Sequence, residues 1–277
     1  MMKEICLDEL KIVQLDIMSS IHRFCEKYHL RYSLSCGSML GAARHKGYIP
    51  WDDDIDIYLL REDYDKMVRN FPDLWEGKYQ FCTLERDSKW GLPYGKVCDS
   101  RTILKEGVTY TNELGVNIDV FPIDKVPEDD KLWEKYDTYR RKCYTLYSTR
   151  EYMTSVFSFN NGKPFLKNLL TFFMKICFHL ISVRNMAKWY QNIAIKYNKT
   201  NSSRVFECVQ GIFLKKPFPI TLFDNRVLMP FEDRKFMCFA DYETYLTNAY
   251  GDWRQLPAEE KRISHHNFKA WWKEDER

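Results

Sequence analysis

The 277-residue sequence predicts an α/β chain of the α+β kind: a mixed sheet flanked by helices, followed by a mainly helical second half. Three observations predict it. An apolar repeat of helical period precedes the first strand-like segment. Acid and apolar residues then alternate in Asp54-Ile55-Asp56-Ile57 and again in Val116-Asn117-Ile118-Asp119-Val120-Phe121. Alternation of period two belongs to strands, with alternate side chains sharing a face. Beyond about residue 130 the pattern turns to helical spacing.

The elements follow in order. Leu7, Leu10, Val13, Ile17, Ile21 and Phe24 recur every three or four residues, which predicts an amphipathic helix. Residues 31–35 read as a strand, and Gly37-Ser38 as the turn that opens a short helix ending at Arg44. After the apolar run 55–60, Arg61-Glu62-Asp63-Tyr64 reads as a helix start, because acids favour the first turn. Further strands are expected at 79–84, 94–100 and 116–124. The expected division is a core over 1–130 and a mainly helical region over 131–277 packed on it, which the resemblance given below implies to be the catalytic core and an acceptor-recognition and capping region. No internal repeat or low-complexity linker interrupts the chain.

Composition narrows the function. Hydrophobic content of 45% and aromatic content of 16% supply a packed core, so disorder is excluded. A balance of 42 Lys+Arg against 39 Asp+Glu gives only +3, which argues against nucleic acid as a partner. The start MMKEICLDELK carries acids where an export signal needs apolar residues, so a cytoplasmic location is expected. Nine Cys without a CxxC pair read as reduced thiols rather than a zinc site or disulfide framework. Cys36, beside Gly37, lies near enough to the motif described next to be open to modification.

Residues 164–184 are long and apolar, yet Lys167, Thr171, Lys175 and His179 fall four apart and form one polar stripe on a helix. Two Lys make a membrane span expensive. Such a helix either packs into the core or lies peripherally at the inner face of a membrane.

Residues 36–57, CGSMLGAARHKGYIPWDDDIDI, carry the chemistry. Asp52 and Asp53 follow Pro50-Trp51 and suit a solvated loop, Asp53 above all. Asp54 and Asp56 adjoin an apolar run, where a buried charge must be paired or bound to a metal. On a strand they project to one face, where two such carboxylates repel unless a cation sits between them. Mg²⁺, with Mn²⁺ as the alternative, is held by one or two carboxylates plus substrate phosphates. An EF-hand is excluded, since no Gly or Glu falls at its offsets. Asp119 is a third acid on a probable strand, suited to completing the metal site or to deprotonating an attacking hydroxyl. Asp124, by contrast, reads as a satisfied acid at a strand end. Gly37 and Ser38 offer backbone N–H groups to an anion at a helix N-terminus. Among nearby cations, Lys96 and Arg44 rank above Arg101 and His45 for neutralising phosphate. Trp51 and Tyr250, with Tyr242, Tyr245 and Trp253, are aromatic candidates for the wall of a binding pocket; the resemblance described next implies nucleotide or choline as its occupant, and quaternary ammonium groups favour aromatic faces.

The small turn, the acid-apolar-acid-apolar strand and the later third acid resemble the nucleotidyltransferase superfamily signature. More narrowly, residues 37–57, the block NIDVFPID (117–124) and residues 241–257 with the His265-His266 pair resemble the LicD family of phosphocholine transferases, relatives of the fukutin-type glycan-modifying enzymes. The resemblance runs over nearly the whole chain and is weakest over about 131–225. It implies a nucleotidyltransferase-like core, with the metal pair at Asp54 and Asp56, the third acid at Asp119 and the donor-phosphate turn at Gly37-Ser38. It also implies transfer of a phosphoalkyl group from CDP-choline, or a related CDP-alkyl donor, to a sugar hydroxyl. The acceptor would be a cell-surface glycan such as lipopolysaccharide or teichoic acid, or its lipid-linked precursor. Two other readings stand beside it: a nucleotidyltransferase attaching NMP to a small molecule, and a non-catalytic scaffold of a glycan assembly complex.

Overall fold

Helix α1 (Leu7–Lys27) forms where the apolar period predicts it, with Asp8 and Glu9 in its first turn and Lys27 in its last, each favourable to the helix dipole. In the computed structural model, which describes residues 2–105, 114–151, 180–210, 214–262 and 269–274, its stripe packs against the central sheet. Leu10, Val13, Ile17, Ile21 and Phe24 are buried, each contributing about 1.5–3 kcal/mol. Leu7, at the first position, stays exposed.

The sheet is mixed, as expected. Strands β2 (Tyr32–Leu34), β3 (Asp56–Leu60), β4 (Tyr79–Cys82), β5 (Gly95–Asp99) and β7 (Asn117–Lys125) lie in the order β2-β3-β7-β5-β4. Only β3 and β7 pair in parallel there; the other neighbours are antiparallel. One face is apolar, with Ile57, Val97, Ile118 and Val120 inaccessible to solvent. The opposite face receives the acids. Helix α2 (Cys36–Arg44) fills the connection from β2 to β3, and α3 (Arg61–Asn70) follows β3 with Glu62 and Asp63 in its first turn.

In the second half helix outweighs strand among the described residues, through α4 (Asp130–Glu151), α5 (Val183–Ala194) and α6 (Tyr242–Tyr250). Short strands that the spacing did not announce also occur there. β8 (Arg204–Phe206) pairs antiparallel with the end of β7 and with β9 (Phe218–Pro219), and β10 (Arg226–Phe231) forms a hairpin with β11 (Arg234–Phe239). β12 (Lys269–Trp272) returns to the first half, between β1 (Glu4–Ile5) and β6 (Thr102–Lys105). Residues 152–179, with Lys167, Thr171, Lys175 and His179, lie outside the described residues, as do His265 and His266. Among the described residues no helix is long and apolar enough to cross a membrane. The described cysteines are all free thiols, in accord with the reading of their number and spacing.

Candidate active site

Register places the acids. Asp56 on β3 stands beside Asp119 on β7, and Asp119 stands beside Lys96 on β5. One row thus crosses three strands as Asp56, Asp119, Lys96, with neighbours about 4.8 Å apart. Lys96 Nζ lies 2.9 Å from Asp119 Oδ1 and donates to Asn117 Oδ1 at 3.1 Å. The Lys96 side chain is buried and committed to this row, so its cation acts on Asp119 before it acts on any ligand.

Asp56 is the most compromised charge of the row. It is 8% exposed, and burial, then the charges of Asp54, Asp119 and Asp52, push its carboxyl well above the ordinary range, with Lys96 opposing. Asp54, expected on the strand itself, precedes β3 by two residues; the chain is already extended there, because Asp119 N–H donates to Ile55 O at 3.2 Å. The alternation survives the correction. Ile55 is inaccessible, while Asp54 and Asp56 open on one cleft of about 740 Å³.

That cleft also takes Gly37, Arg44, Trp51, Asp52 and Tyr250 into its wall, along with Asp252, Trp253, residues 255–257 and Lys261. Helix α2 aims its N-terminus at the acids, and its first N–H groups have no carbonyl four residues back. Cys36 opens the helix at φ +46°, an uncommon conformation for a residue with a side chain. Its N–H donates to Tyr245 Oη at 2.9 Å. A Cβ at Gly37 would run into the Asp52 carboxylate, so only glycine lets the acidic loop lie this close to the helix start. The Ser38 hydroxyl is buried and accepts from Asp56 N–H at 2.9 Å, which makes it a brace for the strand. Arg44 donates to Trp253 O at 2.8 Å and Gln255 O at 3.3 Å, tying the C-terminal wall to α2; its described partners include no carboxylate.

Other expectations are corrected. Asp53 is buried at 6% exposure rather than solvated, and its carbonyl is taken by Gln14. Cys36 is buried with Sγ 3.4 Å from Tyr58 Oη, and burial, then Asp56, drives its thiol up, so it is shielded from modification. Tyr245 is wholly buried under the cleft floor, packed on Tyr58 and Phe239. Tyr242 meets Trp253 edge to face behind the wall. Arg101 binds Asp99 and lies over Trp272, away from the cleft. His45 accepts from Arg44 Nε and meets the edge of Trp51, whose ring also has the Arg262 guanidinium 5.8 Å from its centre. Asp119 and then Lys96 follow Asp56 along the row but do not line the cleft. Lys261 and Leu256 join the wall with no local sequence signal, since only the fold brings them there.

Among the described residues no three acidic, His or Cys side chains converge closely enough to enclose an ion unaided. The donors nonetheless suit Mg²⁺ completed by a ligand. Two hard carboxylates share a cleft, one of them buried among like charges, and that is the setting in which the ion keeps open positions for phosphate and water.

Comparison with known proteins agrees with this geometry. Residues 29–154 match the family described as LicD/FKTN/FKRP, nucleotidyltransferase domain, a span that holds the whole acid row, α2 and most of the sheet. The lipopolysaccharide cholinephosphotransferase LicD of Haemophilus influenzae is 29% identical over 98% of this chain and 99% of its own length. Uncharacterised proteins of Rickettsia typhi and Rickettsia prowazekii match short stretches. They are 40% identical over 21% of this chain and 19% of theirs, and 43% identical over 17% and 18%. The chain is thus similar to a LicD enzyme from end to end, and its match to the family model spans residues 29–154.

Proposed function

We propose that this protein transfers phosphocholine from CDP-choline to a sugar hydroxyl of a lipopolysaccharide-type glycan or its lipid-linked precursor, with Mg²⁺ as cofactor and Mn²⁺ as the alternative. The observation that carries the reading is the pair Asp54 and Asp56 on one cleft, with burial and the charges of neighbouring acids pushing the Asp56 carboxyl up. The substrate class is supported by the end-to-end likeness to a lipopolysaccharide cholinephosphotransferase.

The chain's residues divide the work. Asp54 and Asp56 would hold the ion, which when bound screens the donor diphosphate and the charge on departing CMP. The acceptor oxygen bonds to the choline-bearing phosphorus, the bond from that phosphorus to the bridging oxygen breaks, and CMP leaves with the electron pair. Asp119, beside Asp56 and oriented by Lys96, takes the hydroxyl proton. The N–H groups of Gly37 and Ser38 and the Arg44 guanidinium offer charge-matched donors to the phosphates. Trp51 and Tyr250 give the cleft aromatic faces suited to choline or cytosine. Wall and floor keep water from competing for the phosphoryl group.

The test is mass analysis of lipooligosaccharide incubated with the protein, CDP-choline and Mg²⁺. A gain of one phosphocholine with matching CMP release is expected. NMP transfer from a nucleoside triphosphate, or no product from either donor, would overturn the proposal.

A further inference from the structure

Each acid of the pair is entered through a peptide group, and each of those groups is held by a buried side chain. Asp56 N–H is held by Ser38 Oγ at 2.9 Å. The carbonyl of Asp53, which belongs to the peptide joining Asp53 to Asp54, accepts from Gln14 Nε2 at 2.9 Å. Gln14 lies on α1, 39 residues upstream of Asp53, and is 3% exposed; apart from Ser20, the other buried residues of the helix are apolar. Its amide is used at both ends, since Oε1 accepts from Tyr48 Oη at 3.0 Å. Tyr48 is itself placed by the β10–β11 hairpin, where Glu232 Oε1 accepts from Tyr48 N–H at 2.9 Å and Glu232 N–H donates to Lys46 O at 2.8 Å.

We infer that Gln14 is a positioning residue for Asp54: by fixing the Asp53–Asp54 peptide plane it aims the Asp54 carboxylate into the cleft beside Asp56. A peptide group is planar, so holding its oxygen leaves little freedom to the Cα that follows. A buried carbonyl without this donor would turn to find another, and Asp54 would turn with it. Nothing else in the α1 stripe calls for an amide, because an apolar residue at position 14 would serve packing alone. The inference rests on reading Asp54 and Asp56 as the ion-holding pair.

The experiment is Mn²⁺ titration of the full chain by electron paramagnetic resonance, with thermal melting and steady-state CMP release alongside, for wild type, Gln14→Met and Tyr48→Phe. Gln14→Asn, which keeps an amide but falls one methylene short, serves should Gln14→Met fail to fold. Loss of the Gln14–Asp53 bond is expected to weaken Mn²⁺ binding about 10–100-fold and to lower kcat with little change in donor KM. Tyr48→Phe keeps that bond, so it should lower the melting temperature while leaving Mn²⁺ affinity near wild type. A folded Gln14 variant with wild-type Mn²⁺ affinity and kcat would make Gln14 a packing residue only and overturn this inference alone. A wild type that binds no Mn²⁺ would overturn the ion-holding reading and this inference with it.

Discussion

Strands β3 and β7 run side by side in parallel and carry buried acids at both ends, and the two ends are built in opposite ways. At the far end Asp124 is inaccessible to solvent, yet Arg61 holds both of its oxygens, at 2.8 and 2.9 Å, and Asn198 adds a third bond at 2.6 Å. Burial works against the Arg61 charge, but the Asp124 carboxylate outweighs it and holds the guanidinium above its usual pKa. At the near end, five residues and about 17 Å along the strand, Asp56 meets Asp54, Asp119 and Asp52, with the Lys96 charge opposing them. The same strands therefore carry one acid whose charge is fully matched and one whose charge is not. A buried charge costs stability unless it is paired. The matched end spends its charges on the fold. The unmatched end gathers negative charge on the cleft, which suits the ion of the proposed mechanism.

The comparison can be broken most severely at the unmatched end. Asp54→Asn and Asp56→Asn should each remove CMP release, by more than the roughly 10–100-fold that loss of a supporting partner costs. Metal-free Asp56→Asn should melt higher than wild type, since one repelling charge is gone. Near-normal turnover in either variant would end the assignment. Next comes the matched end. Arg61→Met should destabilise the protein by about 3–5 kcal/mol in a chemical melt, because Asp124 is left buried without its countercharge. A loss below about 1 kcal/mol, the level of an exposed pair, would show the two ends to be alike after all.

Much of the unmatched end was legible in the sequence, because its signal is local. Asp54, Asp56 and Asp119 alternate with apolar neighbours, and period two is a property of a few consecutive residues. The helix through Arg44, the helix start at Arg61 and the strands of the first half are equally local. The reading of Asp124 as a satisfied acid also held, though its partner Arg61 could not be named, being 63 residues away. What escaped the sequence depends on distant pairing. β12 is a four-residue strand that has a place only between β1 and β6. Asp53 looked solvated because it sits in an acidic loop, and only α1 and Gln14 bury it. Lys96 read as a free cation because its pairing with Asp119 exists only once β5 and β7 are in register.

Smaller effects sharpen the picture. Lys96→Met removes the one cation of the row, so the metal-free protein should melt lower while the cluster, one charge more negative, binds Mn²⁺ more tightly. Calorimetric titration checks the second part, and weaker Mn²⁺ binding would mean that Lys96 supports the ion site rather than balancing it. Arg44→Gln should raise the donor KM roughly tenfold, about 1.4 kcal/mol, with kcat little changed, in keeping with a phosphate contact made equally in ground and transition states. Steady-state kinetics at varied CDP-choline decides it, and an unchanged KM would confine Arg44 to bracing the cleft wall.

The most direct measurement is the thermal melt of wild type, Asp56→Asn and Asp124→Asn with and without Mn²⁺. The account predicts that Mn²⁺ raises the melting temperature of wild type and of Asp124→Asn by the same amount. Asp124→Asn should start lower, and Asp56→Asn should start higher and not respond. Equal Mn²⁺ shifts in wild type and Asp56→Asn, or none in wild type, would contradict it.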